Sequence, residues 1–96
     1  MRAIKRKDAN HREIISQLRQ IGCSVFDTSN LGEGFPDIVV GFRGKNYLFE
    51  IKDGSKPPSQ RKLREKQIKF LNDWRGEVYV IENLEDALKV LGVIQI

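Results

Sequence analysis

Asp37, Glu50 and Lys52 are of the types and spacing that could serve phosphodiester hydrolysis. At neutral pH that reaction needs a strong nucleophile and neutralised charge on the scissile phosphate, and a divalent metal held by carboxylates provides both. Side chains on a strand alternate between faces, so Glu50 and Lys52 point the same way while Ile51 points into the opposite layer. Oxygen-only coordination suits Mg²⁺ or Mn²⁺, with Asp37, Glu50 and the Ile51 carbonyl as candidate ligands. Lys52 could then orient the attacking water or stabilise charge in the transition state. The bland alternative is a surface ion pair between Lys52 and the two acids.

Whether these groups converge depends on a hairpin. Residues 38–42 and 46–52 read as strands separated by Arg43-Gly44-Lys45, a short turn containing a glycine. With an Arg43-Gly44 loop, Phe42 pairs with Lys45 and Asp37 lies opposite Glu50. With a Gly44-Lys45 loop, Arg43 pairs with Asn46 and Asp37 lies opposite Lys52. A three-residue loop would send Asp37 to the wrong face unless a bulge near Pro36 corrected the phase. Both convergent registers put Asp37 on the face of Glu50 and Lys52, and two carboxylates placed across a hairpin repel each other and call for a cation.

The remaining elements follow from periodicity. Ile14, Ile15, Leu18 and Ile21 predict a helix over about residues 9–21, with Asp8 or Asn10 as cap and Gly22 as stop. A strand over 23–27 and a polar, glycine-rich loop over 28–34 lead to Phe35-Pro36-Asp37. Ser59 can cap a second helix over about 60–74. Its apolar stripe of Leu63, Phe70, Leu71 and Trp74 is completed by a polar residue, Gln67. Residues 77–82 alternate as a strand, and Asn83 caps a helix to about Leu91. The order αβββαβα predicts one α/β domain over 1–96, a central mixed β-sheet flanked by helices.

The net charge is +4, but up to Arg75 sixteen basic residues face nine acidic ones. Basic clusters at 2–12 and 56–69 would attract a polyanion such as DNA, unless they are merely solvated faces. One cysteine and one histidine exclude a disulfide within the chain and disfavour zinc, and Cys23 reads as a small core residue. His11 reads as a phosphate contact or an exposed side chain rather than a catalytic base. No apolar run reaches the roughly 20 residues of a membrane span, and the start lacks the apolar stretch of a leader, so a cytoplasmic protein is expected.

Gly34-Phe35-Pro36-Asp37, followed by Glu50-Ile51-Lys52 on the next strand, resembles the PD-(D/E)xK nuclease motif. With Glu13 on the first helix and Gln67 on the second, the pattern over about residues 8–80 is similar to the VRR-NUC family. The resemblance implies a restriction-endonuclease-like core, with Asp37, Glu50 and the Ile51 carbonyl as metal ligands and Lys52 as the catalytic lysine. It also implies site roles for Glu13 and Gln67. Each of these has a structural alternative: Glu13 as half of a capping box with Asn10, and Gln67 as an interior amide satisfied by backbone groups. Stand-alone members, phage or bacterial in type, imply homodimers that cut or nick branched DNA such as Holliday junctions.

The leading expectation is therefore a Mg²⁺- or Mn²⁺-dependent DNA endonuclease. Lys5, Arg6, Lys7 and Arg12 would grip phosphates together with Arg61, Lys62 and Lys69. Competing readings are a simple nickase without junction preference, a non-catalytic nucleic-acid-binding module, and a protein interaction domain with an acidic C-terminal face. Residues 90–96 offer either a dimer interface or a last core strand.

Overall fold

A computed structural model describes residues 10–94 of the 96-residue chain. Helix α1 (His11–Gln20) is followed by strands β1 (Ser24–Asp27), β2 (Ile38–Phe42) and β3 (Lys45–Ile51). A 3₁₀ turn (Pro58–Gln60), α2 (Glu65–Asp73), β4 (Tyr79–Ile81) and α3 (Leu84–Leu91) complete the order. The αβββαβα order and the mixed sheet are those the sequence predicts. The sheet runs β1-β2-β3-β4, with the first two pairings antiparallel and β3-β4 parallel.

Strand alternation divides the sheet into two unlike faces. Ile38, Val40, Phe49, Ile51 and Ile81 are buried against Ile14, Ile15 and Leu18 of α1 and Ala87 and Leu91 of α3. Cys23 joins this core, and burial pushes its thiol up from the ordinary value, which keeps it protonated and inert. Leu91 lies in the core, so the 90–96 segment is not simply a free surface; Gln95 and Ile96 lie outside the described residues.

Hairpin register is set at the β2-β3 turn. Phe42 pairs with Lys45, leaving Arg43 (φ 49°) and Gly44 (φ 78°) as a two-residue loop. Positive φ at both central residues matches the right-handed twist of the strands and pins the pairing. Ile38 then lies opposite Phe49, so Asp37, one residue earlier, continues the register towards Glu50. The first of the two convergent registers is the one realised.

The second helix departs from expectation. In place of a helix from Gln60 capped by Ser59, Pro57-Pro58 nucleates the 3₁₀ turn, closed by the N–H groups of Gln60 and Arg61 on the carbonyls of Pro57 and Pro58. The chain then extends through Arg64 (ψ 162°) before α2 begins. Proline fixes φ and lacks an N–H, which suits a tight turn, and the turn uses up the residues that Ser59 would otherwise have capped. Leu63 therefore precedes α2.

Candidate active site

Asp37 and Glu50 are 9% and 3% exposed and line one cleft with Ile51, Lys52 and Gln67. Asp37 stands just before β2, where Thr28 holds the chain on both sides. The Thr28 hydroxyl donates to the Pro36 carbonyl at 2.7 Å, and its N–H donates to the Asp37 carbonyl at 2.9 Å. Across the hairpin the Ile51 N–H donates to Asp37 Oδ2 at 2.8 Å. The Lys52 N–H turns the other way, to the Ile81 carbonyl of β4 at 2.9 Å. Backbone groups alternate in direction along a strand, so the Ile51 carbonyl shares the Asp37 side, beyond the first residue of β2. The two carboxylates and this carbonyl are hard-oxygen groups, a donor type that could hold a divalent cation alongside water and substrate oxygens. Among the described residues no group of three or more His, Cys, Asp and Glu side chains comes together as a metal site.

Gln67 ties the site together. Its Nε2 donates to Glu50 Oε2 at 3.0 Å, while its Oε1 accepts from Lys52 Nζ at 3.2 Å and from the Arg64 N–H at 2.8 Å. Carboxylate on one side and two donors on the other leave only one sensible orientation of the amide. One side chain thus starts α2, restrains the buried Glu50 and aims the Lys52 ammonium. Gln67 is only partly buried, and its oxygen accepts a backbone N–H, so the interior-amide description covers half of what it does.

The approach of α2 requires Gly34. This residue has φ +77°, and a Cβ there would lie 2.1 Å from the Lys66 carbonyl oxygen. Any larger residue must push away the helix that carries Gln67. Phe35 packs edge-on against Phe70 (5.4 Å between centroids), and Phe70 stacks on Trp74 at 5.0 Å, fastening the same helix to the same loop. The Gly-Phe-Pro-Asp segment thus seats α2 with its first two residues and positions the carboxylate with its last.

Other expected site residues are placed variously. Glu13 is exposed on α1 and does not line the cleft. Nor is it half of a capping box, because the Asn10 side chain makes no cap hydrogen bond. Instead Asn10 Nδ2 donates to the carbonyls of Glu82 (3.0 Å) and Lys52 (3.3 Å), tying the start of α1 to the ends of β3 and β4. Arg61 is engaged by Glu82 at 2.6 Å and Lys69 by Asp73, so both guanidinium and ammonium are partly neutralised within the chain. The Asp73 bond also raises the Lys69 pKa from its ordinary value. Lys62 lines the cleft, and so do Arg64 and Lys66, which nothing in their spacing distinguishes from the other basic residues of 56–69. Arg12 is exposed, and Lys5, Arg6 and Lys7 lie outside the described residues. His11 is not an exposed side chain: it is 3% exposed and lines the cleft. Its burial has a signal in the sequence, since His11 shares the i, i+3, i+4, i+7 face of Ile14, Ile15 and Leu18.

A four-stranded mixed sheet with flanking helices, carrying Pro-Asp before one hairpin strand and Glu-x-Lys on the next, is an arrangement of the PD-(D/E)xK type. A search of curated proteins found no match. A family model described as archaeal Holliday junction resolvase (hjc) matches residues 3–93, and the chain belongs to that family. The fold is compatible with the restriction-endonuclease-like fold of these resolvases. Membership implies a structure-specific nuclease with branched DNA as its partner. Among the described residues no helix is long and apolar enough to cross a membrane.

Proposed function

We propose that this protein is a Mg²⁺- or Mn²⁺-dependent endonuclease that hydrolyses phosphodiester bonds in four-way DNA junctions. The observation that carries the reading is the Gln67 amide, which bonds Glu50 and Lys52 in one cleft with Asp37. Asp37, Glu50 and the Ile51 carbonyl are the metal-holding groups. A divalent cation held there supplies Lewis-acid stabilisation of charge on the scissile phosphate. Lys52, aimed by Gln67, serves the attacking water or the charge that develops as the bond breaks. Lys62, Arg64 and Lys66 at the rim contact neighbouring phosphates and carry little base information. The Gly-Phe-Pro-Asp loop, the Glu-x-Lys strand and Gln67 also support a place beside the VRR-NUC nucleases. A symmetric homodimer would bring two such clefts to opposite strands of a junction.

The test is cleavage of a labelled four-way junction beside linear duplex of the same sequence, with Mg²⁺ or Mn²⁺ and with EDTA. Wild type should make paired cuts in the junction, chelation should abolish them, and Lys52→Ala should slow them by about 10²–10³-fold. Metal-replete, folded protein that cuts neither DNA sinks the reading, as does Lys52→Ala cutting at the wild-type rate.

A further inference from the structure

One polar group of the cleft has no part in that chemistry. His11 opens α1, and its side chain is 4% exposed. Among the described residues its Nε2 is buried with no hydrogen-bond partner, the Asp27 Oδ2 atom lying 3.4 Å away. Asp27 is held in turn. Its Oδ1 accepts from the Ser29 N–H at 2.9 Å and the Ser29 hydroxyl at 2.6 Å, which turns the other oxygen to the imidazole. Ser29 is buried and lines the cleft as well.

A purely structural role accounts poorly for this arrangement. A buried polar atom left without a bond costs about 1–3 kcal/mol, and an apolar residue of similar size would avoid that cost. The core does not need the ring, since Ile14, Ile15 and Leu18 supply the face of α1 that packs on the sheet. His11 stands where that face runs out of the core and into the cleft. The N-terminus of α1 lies behind it, and its partial positive charge favours an anion there. Nε2 is the nitrogen that faces Asp27, so an anionic oxygen in the cleft would meet the other nitrogen, Nδ1, and an imidazole can donate from either.

We propose that His11 is a further functional residue of the cleft: oriented by Asp27, its imidazole donates a hydrogen bond to an anionic oxygen of the DNA backbone. The assignment rests on the reading of the cleft as a site for DNA phosphate. It makes His11 the contribution of α1 to the site, in place of Glu13, which faces solvent.

The experiment compares His11→Gln, His11→Ala and His11→Glu. Binding of a labelled four-way junction is measured in Ca²⁺, cleavage in Mg²⁺, and thermal unfolding controls for folding. Glutamine keeps a donor and should stay within about threefold of wild type in binding and cleavage. Alanine should lose about tenfold or more, the worth of one bond to a charged group. Glutamate should be at least as poor as alanine, because it repels the phosphate. A glutamate variant that outperforms glutamine would make His11 a metal ligand and overturn the donor role. So would an alanine variant that melts, binds and cuts like wild type. Should alanine fail to fold, the glutamine-glutamate pair and the native protein decide. The chain has one histidine, so its ring signals in a nuclear magnetic resonance spectrum need no assignment by mutation. They should shift when junction DNA is added in Ca²⁺, and signals that stay put at saturation overturn the proposal. His11 variants that match wild type while Lys52→Ala is inactive remove only this assignment. Wild type that neither binds nor cuts the junction removes the nuclease reading with it.

Discussion

The β2-β3 hairpin and the α2 helix each deliver part of one site, by opposite means. The hairpin places Asp37 and Glu50 through a ladder, a two-residue loop and the Ile51 N–H, all local in sequence and each reinforcing the same register. Helix α2 places Gln67 through one glycine contact, an aromatic trio and the amide itself. None of these contacts buries a residue of α2 completely. The carboxylates are therefore pre-set by the sheet, while the aim of Lys52 depends on whether α2 is docked. Elements with few buried contacts open at lower free energy than the core, so α2 is where the site can be loosened without unfolding the sheet.

Gly34→Ala should break the comparison most severely. A Cβ at 2.1 Å from a backbone carbonyl must displace α2, and φ +77° adds strain of its own. Together these should cost about 2–4 kcal/mol if α2 stays docked, less if it lifts off. Lifting off removes Gln67 from Glu50 and Lys52, so junction cleavage should fall by about 100-fold or more. Trp74, the one tryptophan, sits at the end of α2 against Phe70 and reports on docking. Its emission should move towards that of a solvated indole, while the far-ultraviolet signature of the sheet persists. Unchanged emission together with wild-type cleavage would mean that the contact with Lys66 can give way cheaply.

Gln67→Ala should be milder, because α2 keeps its aromatic fastening. Cleavage should fall about tenfold, equivalent to about 1.4 kcal/mol of transition-state stabilisation. Gln67→Glu separates tethering from charge, since it sets a carboxylate where Nε2 now lies 3.0 Å from Glu50 Oε2. Without metal this variant should melt below Gln67→Ala, and added Mn²⁺ should narrow the gap. If both variants cut as fast as wild type, the amide is only a helix cap and Lys52 is aimed by something else.

The same division governs what is legible in the sequence. Hairpin geometry is local, so strand alternation brings Asp37 and Glu50 to one face in two of the three loop registers the sequence leaves open, and the Arg43-Gly44 turn realises one of them. Gln67 stands out because a polar residue on an apolar stripe needs a partner. The start of α2 is misleading, because Ser59 looks like a cap, whereas Pro57-Pro58 takes that stretch into a 3₁₀ turn and Gln67 accepts the Arg64 N–H at the later start. Glu13 lies away from the cleft, while His11, read as a phosphate contact or an exposed side chain, is buried in its lining. Family likeness points to the acid, whereas the helical stripe puts the histidine inward. Asn10 looks like an ordinary cap, and its bonds to residues 42 and 72 positions away have no local signature. Local rules carry the sheet and its acids, and the departures fall on contacts made across the fold.

Arg43→Asn sharpens the comparison from the stable side and should have the smallest effect. Arg43 occupies φ 49°, which side chains other than Gly, Asn and Asp adopt at a cost. Asparagine suits the first position of this turn, and Asn-Gly is its favoured pair. Against the gain stands the loss of the Arg43 guanidinium over the Phe42 ring at 4.8 Å, worth about 0.5–1 kcal/mol at an exposed site. The net should be a rise of about 0.5 kcal/mol, or about 2–4 °C in Tm for a domain of this size. Cleavage should not change, because the turn lies at the far end of the hairpin from Asp37 and Glu50. A rise in Tm with cleavage unaltered would show that the scaffold can be stiffened independently of the site. A change in cleavage would instead mean that strain at the turn reaches the carboxylates through the strand register.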